Sequence, residues 1–102
     1  MTLKKRFLKS RPVCKVTFSL PEETAGGADT AYVVGDFNQW ATTATPMQKL
    51  KKGGFTVTVD LEVGQECQFR YLLDGTTWVN DETADKYVSS EYPGVENSVV
   101  VV

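Results

Sequence analysis

Two tryptophans and one arginine are the side chains of this chain best suited, by type and spacing, to bind or transform something. Trp40 ends the run Gly35-Asp36-Phe37-Asn38-Gln39-Trp40, and Trp78 follows the turn pair Asp74-Gly75 with Thr77 and Asn80 close by. Both stand in polar surroundings outside the alternating apolar runs. An indole left wet there is costly unless it packs back or binds something. Each tryptophan taken alone is equally explained by packing over an edge of the fold. Taken together, with an outward-facing Arg70 between them in sequence, they point to a ligand surface. The ligand that suits such a set is a sugar. A pyranose has a face of C–H bonds that lies flat on an aromatic ring, and a rim of hydroxyls that wants donors and acceptors such as Asn, Arg or Glu. Binding of this kind is weak, on the order of micromolar to millimolar.

Composition narrows the alternatives. The 102 residues contain no histidine, which removes the commonest general base and the commonest metal ligand together. Two cysteines without histidine do not close a four-ligand zinc site, so no metal and no cofactor are expected. Asp36 and Asn38 could be read as ligands for a hard cation, but loop-fixing hydrogen bonds to the backbone explain them better. Asp36 and Asp74 could be imagined as the acid pair of a glycosidase, but nothing places them together and Asp74-Gly75 reads as a turn. No catalytic residue is assigned, and catalysis is disfavoured.

The formal charge of −2 hides an asymmetry. Residues 1–12 carry Lys4, Lys5, Arg6, Lys9 and Arg11 and no acid, while the remainder holds 6 basic and 13 acidic residues, a net −7. A body of that charge repels phosphate backbones, so nucleic acid is not an expected partner. Residues 1–12 read as a basic, flexible tail. They lack the apolar stretch of a signal peptide, and no run approaches the roughly 20 apolar residues of a membrane span. No membrane partner is expected, and a soluble cytoplasmic protein is. Cys14 and Cys67 fit that setting as small buried hydrophobes.

The elements that must position the tryptophans are strands. Phe55, Val57, Val59 and Leu61 alternate with Thr56, Thr58, Asp60 and Glu62, as in a strand with one wet face. Cys14, Val16, Phe18 and Leu20 alternate in the same way, as do Cys67, Phe69, Tyr71 and Leu73. Residues 31–34 and 99–102 are short continuous apolar runs, as expected of strands covered on both sides. Residues 21–27, 52–54 and 63–65 read as loops or turns, and Asp74-Gly75 is a hairpin turn that wants positive φ. Residues 81–90 have room for at most one helical turn. About seven short strands with frequent turns imply an all-β, immunoglobulin-like antiparallel β-sandwich over residues 13–102.

At this level of detail the chain resembles a known family. Gly35-Asp36-Phe37-Asn38-Gln39-Trp40 is similar to the G-S/D-F-N-x-W motif of carbohydrate-binding module family 48. Residues 69–75 with Trp78 are similar to its Y-K/R-F-x-V-D-G-x-W motif, and residues 94–100 to its closing G-x-x-N-x-V-V stretch. Order and spacing agree from about residue 13 to the C-terminus. The family includes the glycogen-binding domain of the AMP-activated protein kinase β subunit and the N-terminal domains of isoamylases, pullulanases and branching enzymes. The resemblance implies an early-set sandwich that binds α-1,4-glucans such as glycogen, starch and maltooligosaccharides. By position, Trp40 and Trp78 would be stacking platforms and Arg70 the basic residue on hydroxyls. Glu96 and Asn97 fall where the family's glucan-binding kinase domains have paired asparagines. Glu96 departs from that pair, and one extra residue separates the Asp74-Gly75 turn from Trp78.

The expected function is therefore non-catalytic glucan binding. The chain from Met1 to Val102 carries no appended catalytic segment, so it is expected to act alone or by recruiting a partner. The alternative is a protein-interaction or packing domain that docks a glycan-metabolising enzyme or kinase, with the same aromatics as its hot spot. Tyr87 and Tyr92 either line the ligand surface or cover an edge.

Overall fold

The computed structural model describes residues 3–102. Its strands are β1 (Leu3–Phe7), β2 (Val13–Leu20), β3 (Ala31–Gly35), β4 (Gln48–Lys49), β5 (Phe55–Glu62), β6 (Glu66–Leu73), β7 (Thr77–Val79), β8 (Lys86–Ser89) and β9 (Glu96–Val101). A four-residue helix, α1 (Glu22–Ala25), and a 3₁₀ turn (Asp36–Asn38) interrupt them. Two antiparallel sheets face each other, one in the order β1-β2-β5-β4 and the other β3-β6-β9-β8 with β7 added to β6. This is an all-β sandwich of immunoglobulin-like build.

The period of two sets the core. Cys14, Val16, Phe18 and Leu20 of β2 point inward and are essentially sealed from water, against Phe69 and Tyr71 from β6. Phe18 meets Phe69 edge-on, with ring centroids 5.0 Å apart, and Phe69 meets Tyr71 at 5.7 Å. Such edge contacts add about 0.5–1.5 kcal/mol beyond area burial. The register of β2 on β5, with Phe18 opposite Val57 and Leu20 opposite Phe55, keeps both apolar sets on the same side. Both cysteines are buried and unpaired, as their positions in the alternation imply. Asp74 and Gly75 take positive φ values of 51° and 72°, which makes the β6–β7 connection the tight turn read from the sequence.

Four readings need correction. Residues 3–7 are not a flexible tail: Leu3–Phe7 is a strand paired along its length with β2 (Met1 and Thr2 lie outside the described residues). Leu3 drives this, being buried opposite Phe18, while Lys4, Lys5 and Arg6 lie exposed along the sheet edge, where charges are tolerated. Residues 81–90 contain strand β8 rather than a helical turn. Conversely, α1 forms within an expected loop, entered from Pro21 and stopped by Gly26 at φ 59°. Val101 is exposed, so only the front half of the final apolar run is covered on both sides. No helix among the described residues is long and apolar enough to cross a membrane.

Candidate functional site

The outer face of the second sheet carries the site, and β6 is its axis. Because Cys67, Phe69 and Tyr71 point into the core, Gln68, Arg70 and Leu72 must point out. Along one side β6 changes partner halfway: Glu66–Phe69 pair with β9, and Tyr71–Leu73 pair with β7. Arg70 sits at this fork. Trp78 lies opposite Leu72, which brings the indole diagonally beside Arg70 on the same face. The guanidinium carbon is 5.5 Å from the Trp78 ring centroid, within cation–π range. Arg70 Nε is buried without a hydrogen-bond partner, and burial pulls the group below its ordinary pKa. The donors that Arg70 can present to a ligand are its terminal amino groups.

Asn80 and Asp81 hold the fork together. Asn80 donates to the Glu96 carbonyl at 2.8 Å and accepts from the Ser98 backbone N–H at 3.1 Å. Asp81 is buried and accepts the Tyr71 hydroxyl at 2.6 Å, while its own N–H donates to Ser98 Oγ at 2.9 Å. Burial, followed by the neighbouring Asp81 charge and this hydrogen bond, pushes the Tyr71 hydroxyl far above its ordinary pKa.

Trp40 is delivered by the six-residue run that ends on it, and each residue has a part. Gly35 lies against β6 so closely that a Cβ there would stand 2.4 Å from the Gln68 carbonyl oxygen. Asp36 Oδ2 accepts the Gln68 backbone N–H at 2.8 Å, and its Oδ1 accepts the Trp40 indole N–H at 2.9 Å. Phe37 packs on Phe18 at 5.6 Å. Asn38 accepts from the Gly35 N–H at 3.0 Å and donates to the Val33 carbonyl at 3.0 Å and Thr45 Oγ1 at 2.9 Å. Gln39 and Trp40 both adopt left-handed backbone, with φ 57° and 58°, a conformation these contacts impose. Asp36 and Asn38 are thus loop-fixing residues, as the sequence reading favoured. Asp36 and Asp74 follow opposite ends of the β3–β6 ladder, where Gly35 pairs with Phe69 and Ala31 with Leu73, so they do not form an acid pair. Asp74 instead accepts the backbone N–H groups of Asp29 and Thr30.

Together these elements wall a groove of about 870 Å³, at the upper end of the roughly 300–1,000 Å³ typical of ligand sites. Trp40, Arg70, Trp78 and Asn97 all line it. Asn97 donates to Gln68 Oε1 at 3.0 Å, so the two amides share the floor. Glu96 does not line the groove. It is the strand neighbour of Asn97, and strand alternation sends consecutive side chains to opposite faces. Gln68 is a lining residue that the sequence reading passed over, although its outward place in the β6 alternation marks it. Tyr92 also lines the groove and is 71% exposed, on a tight loop where Ser90 Oγ accepts its N–H and donates to its carbonyl. Tyr87 instead covers the edge, its hydroxyl donating to the Asp81 carbonyl.

A β-sandwich with two indoles, a guanidinium and paired amides on one open sheet face has the build of a carbohydrate-binding module. Residues 6–102 match the family described as the glycogen recognition site of AMP-activated protein kinase, and the chain belongs to that family. The match extends the resemblance carried by the three motifs across nearly the whole chain. No curated protein matches the sequence.

Proposed function

We propose that this chain binds α-1,4-glucans in the groove without altering them chemically, by stacking pyranose faces on Trp40 and Trp78. The observation that carries this reading is the convergence of Trp40, Trp78, Arg70 and Asn97, remote in sequence, on one concave face. Arg70, which lines the groove, offers hydroxyls the terminal amino groups of its planar fork. The Asn97–Gln68 pair leaves Asn97 Oδ1 and Gln68 Nε2 as an acceptor and a donor for a hydroxyl pair. Tyr92 adds an aromatic wall. Glu96 has no role. None of these contacts needs a group that titrates near neutrality, so affinity should be flat between about pH 6 and 8.

Calorimetric titration with maltoheptaose tests the proposal. Binding in the micromolar to millimolar range, unchanged in Glu96→Ala and lost in Trp40→Ala/Trp78→Ala, is the expected result. No heat and no tryptophan fluorescence change at millimolar sugar would overturn it. The exposed Trp78 and Tyr92 side chains would serve equally as a hot spot for a glycan-metabolising enzyme. An enzyme captured equally well under saturating maltoheptaose would favour that second reading.

A further inference from the structure

The glucan reading leaves the basic N-terminal strand without a use. β1 is the outermost strand of the first sheet, on the layer opposite the one that bears the groove. Its phase on β2 is fixed by the Leu8 N–H donating to the Val13 carbonyl at 3.0 Å. Antiparallel pairs alternate, so the N–H and C=O groups of Lys4 and Arg6 face β2, and those of Lys5 and Phe7 face away from it, where the sheet ends. Side chains alternate too. Lys4 and Arg6, opposite Thr17 and Lys15, stand together on the outer face of the sheet, about 7 Å apart along the strand. Lys9 and Arg11 continue the cationic row in the exposed turn that follows. Lys5 is paired with Asp85 and Lys15 with Asp60, but among the described residues Lys4, Arg6, Lys9 and Arg11 have no ion pair. Phe7 is 54% exposed on the opposite side of the same strand.

We propose that the free edge of β1 accepts an extended acidic segment of another protein as an added strand. The Lys5 and Phe7 backbone groups would supply the ladder, Lys4 and Arg6 would hold carboxylates two residues apart, and Phe7 would cover the apolar residue flanking the carboxylate held by Arg6. The fit is to a polypeptide because the unpaired backbone groups are useful only to another backbone. An added strand stays at the β1 edge, three strands from Asp60 and Glu62 of β5, whereas a nucleic acid or an anionic membrane would spread over the outer face onto those carboxylates. A second copy of this edge would set lysine and arginine against lysine and arginine. Because the edge and the groove lie on different sheets, both can be filled at once, and the module would then link an acidic partner to its glucan.

The test is titration of the isotope-labelled full chain with a capped peptide that alternates glutamate and valine. Parallel arms use a lysine–valine peptide, a single-stranded oligonucleotide and phosphatidylserine vesicles. The expected result is amide shifts confined to residues 3–11 and slowed hydrogen exchange at the Lys5 and Phe7 amides with the glutamate peptide alone. Lys4→Glu/Arg6→Glu should weaken this binding about tenfold or more while leaving maltoheptaose affinity and Tm unchanged. Should that variant melt early, Lys4→Gln/Arg6→Gln is used, with a smaller loss in the same direction. Silence at millimolar glutamate peptide, an equal response to the lysine peptide, a stronger response to oligonucleotide or vesicles, or full binding by the folded variants would overturn the proposal. Each of these outcomes is independent of whether sugar binds.

Discussion

At the scale of single residues, Asp36 decides how Trp40 is held. Its two oxygens connect the indole N–H to the Gln68 backbone, so the ring is clamped to the central strand instead of swinging on its loop. Removing the ring itself should be the larger loss. Trp40→Ala is expected to weaken maltoheptaose binding by about 2 kcal/mol, roughly thirtyfold in Kd, as measured by calorimetry. Asp36→Ala leaves the ring but frees it, and should raise Kd about threefold to tenfold through lost preorganisation. The signature of a positioning role is coupling: in the Trp40→Ala background, Asp36→Ala should change Kd no further. Equal losses in both backgrounds would show that Asp36 acts some other way. The outward alternation of Arg70 and the polar setting of both tryptophans were legible in the sequence. The Asp36–Trp40 bond was not, because it depends on a left-handed backbone at Gln39 and Trp40 that nothing in their side chains announces.

At the scale of elements, the site depends on how close β3 and β6 run. Gly35→Ala drives a Cβ into the Gln68 carbonyl and the Phe69 side chain, so it should destabilise the fold by about 3 kcal/mol, seen as a lowered urea midpoint. An unchanged midpoint would contradict the tight approach on which the loop geometry rests. Strands β2, β5 and β6 were readable because each buries one face and shows the period of two plainly. β1 was not, since an edge strand with one anchoring residue, Leu3, and three consecutive cations reads as a tail. β8 escaped for a similar reason: its Lys86, Tyr87 and Ser89 are exposed, and only its pairing with β9 makes it a strand. The fork in β6 is a non-local event, so the meeting of Arg70, Trp78 and Asn97 could be inferred from a family resemblance but not from periodicity. The same geometry explains why Glu96 is excluded and Gln68 included.

At the scale of the whole molecule, two buried groups tie stability to pH on the alkaline side. The Tyr71 hydroxyl is held far above its ordinary value of 10.0 and the Cys67 thiol above 9.0, the latter by burial and then by the Asp36 charge. A pKa raised on folding means that the unfolded chain loses its proton first. The stabilisation is therefore complete below about pH 8, begins to drain as pH rises through 9 on account of Cys67, and falls further through 10, with a slope of about 1.4 kcal/mol per unit for Tyr71. Urea unfolding at pH 8 and pH 10.5 should show this loss, and Tyr71→Phe should flatten its steepest part. Sugar binding should show no such slope near neutrality, which separates the groove from the core that supports it. The central claim is that this face recognises α-glucans through its two indoles. Native affinity electrophoresis tests it most directly, with glycogen, amylose, cellulose and chitin in separate gels. The chain should be retarded by glycogen and amylose alone, and Trp40→Ala/Trp78→Ala should migrate as in a sugar-free gel. Unretarded migration of the unmodified chain through glycogen, or equal retardation of the double variant, would contradict it.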